Sequence, residues 1–283
     1  MFIPADSSQP MAITVALTGA VPMRDRFPSL PVTPEEIGHA ADKCSIAGAA
    51  AVHVHVRDES GAPVHRRDLY EATYAAIRDL APELIVCTTT SSRVGGGIEQ
   101  RTLGMDVDPS LRPELASLSL GSFNFPRTVS HNPPDEIVAL LERMGELGIR
   151  PEFEVFELGM ISTLHALIER GLVPGPPIVN LLLGNAGSAP AHLGDLATMV
   201  ERLPANTEWA VAGIGAYQRP LTLLAATVGG NVRTGMEDNP RGDGTAGWSN
   251  SDATAFAVDA ASIAGRRTAT SAEMRARFGL VAR

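Results

Sequence analysis

With 283 residues, 44% hydrophobic and 19% charged, the chain can bury a sizeable core, as one large domain or two smaller ones. A formal net charge of -9 without any basic run leaves no electrostatic footprint for nucleic acid or for an anionic membrane surface. Small molecules or other proteins are the partners this balance suits.

The opening MFIPADSSQP lacks the basic start and apolar centre of a signal peptide, and no later apolar run is long enough to span a bilayer. Eight apolar, β-branched runs then follow in order. They are ITVALTGA (13–20), AVHVHVR (51–57), ELIVCTTT (83–90), ASLSLGSFNF (116–125), PEFEVFE (151–157), PIVNLLL (177–183), EWAVAGIG (208–215) and NVRTGMED (231–238). Helical patterns lie between them. In TPEEIGHAADKCSIAG, Thr33 and Glu36 form a capping box at the helix start. Further helices are expected in DLYEATYAAIRDLAP, PPDEIVALLERMGELG, MISTLHALIERG, GDLATMVERLP and RPLTLLAATVGG. Strict alternation predicts parallel strands joined by right-handed crossovers, and eight units in this length match a closed (β/α)8 TIM barrel. An open doubly wound sheet is the alternative, but no GxGxxG follows the first strand. No linker or repeat divides the chain, so residues 1–283 read as one barrel domain with an N-terminal tail and a C-terminal helical extension. Cys44 and Cys87 lie far apart without a CxxC pattern, so neither a disulfide framework nor a zinc ribbon is indicated, which suits a cytoplasmic protein.

Catalytic groups in this fold gather at the C-terminal ends of the strands. Those ends are polar here: His53, His55 and Arg57 on strand two, then Thr88, Thr89, Thr90 and Ser91 on strand three. Strand four ends with Ser122 and Asn124, strand five with Glu154 and Glu157, and strand eight with Arg233, Glu237 and Asp238. In a strand, His53 and His55 point to one face. With a carboxylate from another strand they make a two-histidine, one-acid set with an open position, which suits zinc and also accepts iron or manganese. Glu237 is the most economical third ligand, although in MEDNPRGDG it also fits a turn or cap. Arg233 precedes Glu237 by four residues and Asp238 by five, offsets that leave open which acid it meets, or whether it forms only a surface ion pair. The hydroxyl run TTTSS either holds a substrate carboxylate or simply ends its strand. The glycines at 95–97 offer backbone donors for an anion or form a flexible loop. Histidines 39, 65, 131, 165 and 192 fall in helices or loops and read as ordinary.

Taken in order, ITVALTGA, HVHVRDESGAP, LGSFNF, PEFEVFELGM, WAVAGIG and GGNVRTGMEDN resemble the β-keto acid cleavage enzymes over nearly the whole chain. The resemblance implies a zinc-dependent barrel, usually a homotetramer, that converts a β-keto acid and acetyl-CoA into acetoacetate and a new CoA ester. It implies His53, His55 and Glu237 as metal ligands, Arg233 and Asp238 as the catalytic pair, and Glu157 as the strand-five glutamate. The residue types suit that chemistry. Cleavage between the α and β carbons passes through an enolate, which a bound Zn2+ stabilises by polarising the keto oxygen. Arginine stays protonated throughout the working pH range, so the carboxylate beside Arg233, Asp238 by the resemblance, must carry the proton or raise the field.

Two departures bear on the substrate. The family's named member, 3-keto-5-aminohexanoate cleavage enzyme, carries an acid after its first TGA, where this chain has Val21. It also has small glycines after strand three, where this chain has Ser91, Ser92 and Arg93. The pocket should therefore favour a neutral or anionic substrate end over an ammonium one. NLLLGNAGSAPA after strand six is the candidate CoA loop. An amidohydrolase-type hydrolase also uses HxH in a barrel, but it calls for further His or Lys ligands at later strand ends, and none is present. A non-catalytic metal or acyl-CoA binding protein would not need the cluster of Arg233, Glu237 and Asp238.

Overall fold

All eight runs supply a strand, and the strands close on one another. In the computed structural model, which describes residues 9–242, 244 and 248–281, they are β1 (Ile13–Ala16), β2 (Ala51–Val54), β3 (Ile85–Thr88) and β4 (Leu115–Ser119), followed by β5 (Arg150–Val155), β6 (Ile178–Leu183), β7 (Glu208–Gly213) and β8 (Asn231–Thr234). Each strand pairs in parallel with the next, and β8 pairs back to β1. The chain is a (β/α)8 barrel. Residues 1–8, where an N-terminal tail is expected, lie outside the described set.

The helices are α1 (Pro34–Ala47), α2 (Arg67–Leu80), the single turn α3 (Ile98–Arg101), α4 (Pro134–Leu147), α5 (Leu158–Glu169), α6 (Leu193–Arg202), α7 (Gln218–Val228), α8 (Asn250–Ile263) and α9 (Ser271–Phe278). The capping box forms as its spacing predicts: Thr33 Oγ1 accepts from the Glu36 amide at 3.2 Å, and the Glu36 carboxylate accepts from the Thr33 amide at 3.0 Å. None of the helices is long and apolar enough to cross a membrane, among the described residues.

Two runs pass from their barrel strand into a short hairpin. Val56–Arg57 leaves β2 and pairs antiparallel with Pro63–Val64, across a turn in which Asp58 accepts the amides of Ser60 and Ala62. Phe123–Asn124, separated from β4 by Gly121 and Ser122, pairs with Val129–Ser130. Both hairpins start just past the C-terminal end of their strand, and the second walls the mouth there with Phe123 and Ser130.

The barrel interior changes character along its axis. Ala51, Ile85, Leu115 and Ile178 fill the bottom, and α9 closes it with Met274 and Phe278. Helix-facing side chains such as Val52, Val86, Leu118 and Phe153 pack in a separate cluster against the helices. Higher inside the barrel, the register aligns Ala16 with His53, Ser119 with Glu154, and Ala212 with Arg233. Apolar filling thus gives way to polar groups toward the C-terminal end.

Candidate active site

His53 and His55 do share a face, with ring centroids 5.2 Å apart. Glu237, from the loop after β8, lies between them: its Oε2 is 3.7 Å from His53 Nε2 and its Oε1 is 3.4 Å from His55 Nε2. All three are nearly or fully buried. Neither ring nitrogen of His53 has a hydrogen-bond partner, nor does Glu237 Oε2. Buried polar atoms left so are uncommon and call for a missing partner. Burial holds His53 well below the usual imidazole pKa, so a neutral nitrogen lone pair is offered. Burial also opposes the Glu237 charge, yet His55, Arg233 and His53 together hold this acid well below the usual carboxylate range. Donor atoms of the three residues lie within 4.8 Å of one another, a set that can hold a divalent cation.

His53 belongs to a second such group, with Cys87 and Glu152 deeper in the barrel. Burial, with the Glu152 carboxyl beside it, pushes the Cys87 thiol well up, which disfavours the thiolate a metal needs. Burial also pushes Glu152 up to about 7, against the pull of Arg233. Neither residue reaches the cavity, so the upper group is the better candidate.

The loop carrying Glu237 is pinned on several sides. The Glu237 amide donates to Ala16 O at 3.1 Å, and Gln218 Nε2 donates to Gly235 O at 2.9 Å. Asn250 accepts from the Met236 amide and donates to Leu17 O, which ties the loops after β8 and β1 to α8. The β1 loop is held in turn by buried Arg57, which donates to Gly19 O at 2.7 Å and Pro22 O at 2.6 Å.

Arg233 resolves which acid it meets: it meets both, and a third. Its Nε and Nη2 donate to the two oxygens of Asp238 at 2.9 and 3.2 Å, Nη2 also reaches Glu237 at 3.0 Å, and Nη1 reaches Glu154 at 3.1 Å. Burial raises the Asp238 pKa, with Glu237 and Glu154 adding to the shift against the pull of Arg233. A carboxylate so placed is a stronger proton acceptor than an exposed one.

These groups form the floor of a cavity of about 710 Å³ at the C-terminal mouth. His55, Arg233, Glu237 and Asp238 line it, as do Thr89, Ser91, Val21 and Arg93. Other expected residues fall outside the lining. The Thr90 hydroxyl donates to Ser117 O at 2.6 Å, and Ser122 Oγ accepts from the Asn132 amide at 2.7 Å. Asn124 lies exposed in its hairpin and gives a backbone carbonyl to Asn185. Glu157 comes after β5 ends, at the N-cap of α5, and does not line the cavity. Glu154 does, with Ser119 Oγ donating to its Oε2 at 2.9 Å. Period two along β5 carries the signal: Glu152 and Glu154 face inward between Phe153 and Val155, whereas Glu157 lies beyond the strand. The run NLLLGNAGSAPA contributes Leu182 and Asn185. His65 is more than an ordinary loop residue, since its ring bonds both Tyr70 Oη at 3.0 Å and Ser91 O at 2.9 Å, fixing the turn after β3.

A parallel barrel whose mouth cavity is floored by one imidazole, three carboxylates and one arginine, with the buried His53 against Glu237 beside them, is an enzyme built for a small, polar substrate. The chain belongs to the beta-keto acid cleavage enzyme family, whose sequence profile matches residues 10–280. It is 36% identical over 277 residues to 3-oxoadipate:acetyl-CoA acetyltransferase of Cupriavidus necator, covering 96% of each chain. It is 34% identical to 3-keto-5-aminohexanoate cleavage enzyme of Fusobacterium nucleatum, covering 94% of this chain and 96% of that one. Among solved structures, apo ObcA superposes with a TM-score of 0.79 at 23% identity, a likeness of fold, over 89% of this chain and 66% of the ObcA chain.

Proposed function

We propose that the protein is a zinc-dependent enzyme that transfers carbon between a β-keto acid and acetyl-CoA, releasing acetoacetate and a new acyl-CoA by a retro-Claisen route. The observation that carries this reading is the contact of Arg233 with Asp238 directly beside the unpaired donor atoms of His53 and Glu237. Family membership and the acetyl-CoA named for the Cupriavidus relative support the co-substrate. His53, His55 and Glu237 would hold the cation, whose chemistry when bound is Lewis-acid polarisation of the keto oxygen.

The chain's own residues account for the remaining steps. Asp238, held by two bonds from Arg233, takes the proton from the α carbon of the β-keto acid. The resulting carbanion attacks the acetyl carbonyl of acetyl-CoA, so that a carbon–carbon bond forms and the CoA thiolate leaves. That thiolate attacks the original keto carbon, the bond to the α carbon breaks, and Asp238 returns its proton to the acetoacetate carbanion. Atoms and protons balance without hydrolysis. Arg233 keeps its charge throughout and prevents Asp238 from drifting off the reacting carbon. Glu154 fixes the far side of the guanidinium. Three exposed arginines at the cavity rim, Arg26, Arg127 and Arg241, suit the phosphates of CoA.

Incubating the zinc-loaded protein with a panel of β-keto acids tests the reading. Acetoacetate and acyl-CoA should appear in equal amounts and only with acetyl-CoA present. Turnover of the same acids without acetyl-CoA would instead favour a hydrolase.

A further inference from the structure

Arg93 has an unusual environment for a cation. Its guanidinium carbon stands 4.0 Å above the ring of Phe125, and the residue is half-buried in the cavity wall. Phe125 belongs to an aromatic cluster with Phe123 and Phe156, whose rings stack at 3.9 Å. Stacking on an aromatic face orients the guanidinium while leaving its edge free to donate. Among the described residues, no carboxylate or carbonyl takes a hydrogen bond from that side chain. The acids that line the cavity, Glu154, Glu237 and Asp238, are all taken by Arg233.

The floor already has donors for the carboxylate next to the keto group. Thr89 Oγ1 accepts from the Ser91 amide at 3.1 Å and Ser91 Oγ accepts from the Arg93 amide at 3.3 Å, so each hydroxyl keeps its own proton to give. Both line the cavity at the tip of β3. Arg93 is therefore surplus to the needs of a simple β-keto acid. The names of the relatives leave the far end of the substrate open, since they span acid, amine, quaternary amine and ketone. In this chain no free acid faces the outer cavity, among the described residues, and Val21 stands in the β1 loop. An ammonium group there would lose water without gaining a counter-ion.

Resting on the proposed β-keto acid cleavage, we propose that Arg93, seated on Phe125, binds a second carboxylate at the remote end of the substrate, which is thus a β-keto dicarboxylate. Arg93 is a specificity-determining residue and takes no part in the proton transfers.

The test uses three β-keto acids matched in length and ending in a carboxylate, a methyl or an ammonium group. Wild type should prefer the carboxylate end, and Arg93→Gln should lower kcat/KM for it by ~10- to 100-fold, the effect of losing a charge-assisted hydrogen bond, chiefly through KM. The methyl substrate should change little, which also serves as the control for folding. Arg93→Lys should recover part of the loss. An equal fall on the methyl and carboxylate substrates would place Arg93 on the shared carboxylate or on CoA, and the inference would be lost. If wild type turns over the methyl or ammonium substrate as well as the carboxylate one, the inference fails while the cleavage activity stands. If it turns over none, the activity itself is wrong and the inference falls with it.

Discussion

Gly19 and Glu237 pack so closely that a Cβ on the glycine would stand 2.5 Å from Cγ of the glutamate. The glycine also has φ +65°, a backbone conformation that side chains disfavour. Glu237 thus owes its place between the two imidazoles partly to a missing methyl group on the opposite loop. Gly19→Ala should displace the acid and weaken metal binding by roughly 10- to 100-fold, the usual effect of disturbing a ligand's supports. Metal titration followed by calorimetry reads this directly. Unchanged affinity would mean that the loop shifts instead of the ligand.

Removing the imidazoles acts on the ligands themselves. His53→Ala with His55→Ala should abolish stoichiometric metal and turnover together while the barrel stays folded, because the helix-facing cluster around Val52 and Val54 is untouched. Full metal content in the double variant, measured by elemental analysis, would exclude the upper group. Because His53 belongs to both groups, His55→Ala alone tells them apart: metal kept by that variant and lost in Cys87→Ser would place the ion in the deeper group.

The barrel was legible because its strands are continuous apolar runs, and alternation with helices leaves few topologies. The pairing of His53 and His55 was legible for a related reason: they lie within one run, where period two fixes their face. Arg233 was less so, because it makes four hydrogen bonds to three acids from two elements, and only the closed ring brings Glu154 of β5 across to β8. Glu157 fits the family motif, yet the chain has left the strand by then, and the inward phase belongs to Glu154. Thr90, Ser122 and Asn124 show the limit of reading polarity at strand ends as a site. Their polar atoms serve the turns and hairpins that shape the cavity, a role that depends on partners far away in sequence.

Asp238→Asn should keep the fold and the metal but reduce kcat by roughly 100-fold or more, as expected when a general base is lost. Glu154→Gln should have a smaller effect, since it retains a hydrogen-bond acceptor for Arg233 and removes only a neighbouring charge. Steady-state kinetics on both variants separates the roles. Should Glu154→Gln prove the more damaging, with Asp238→Asn nearly intact, the proton acceptor is Glu154 and Asp238 only orients the arginine.

Far from the cavity, Glu114 immediately precedes β4 and ties three elements at the bottom of the barrel. Its Oε2 accepts from Arg78 at 2.7 Å and from the Val86 amide at 3.1 Å, and its Oε1 accepts from Arg275 of α9 at 2.9 Å. Burial opposes the charge, but the two arginines and the amide prevail and hold Glu114 below the usual carboxylate pKa. A depressed folded-state pKa adds stability that is present above the unfolded value of about 4.3 and is lost as pH falls through the folded value. Glu114→Gln should therefore destabilise the protein by about 3 kcal/mol near neutral pH, since it leaves two partly buried guanidinium groups without a counter-ion. The difference from wild type should shrink as the pH is lowered below about 4.3. Denaturant melts of both proteins at several pH values measure it. A gap that stays constant down the acid limb would show that Glu114 acts through packing and neutral hydrogen bonds, and that its charge contributes nothing to joining α9 to the barrel.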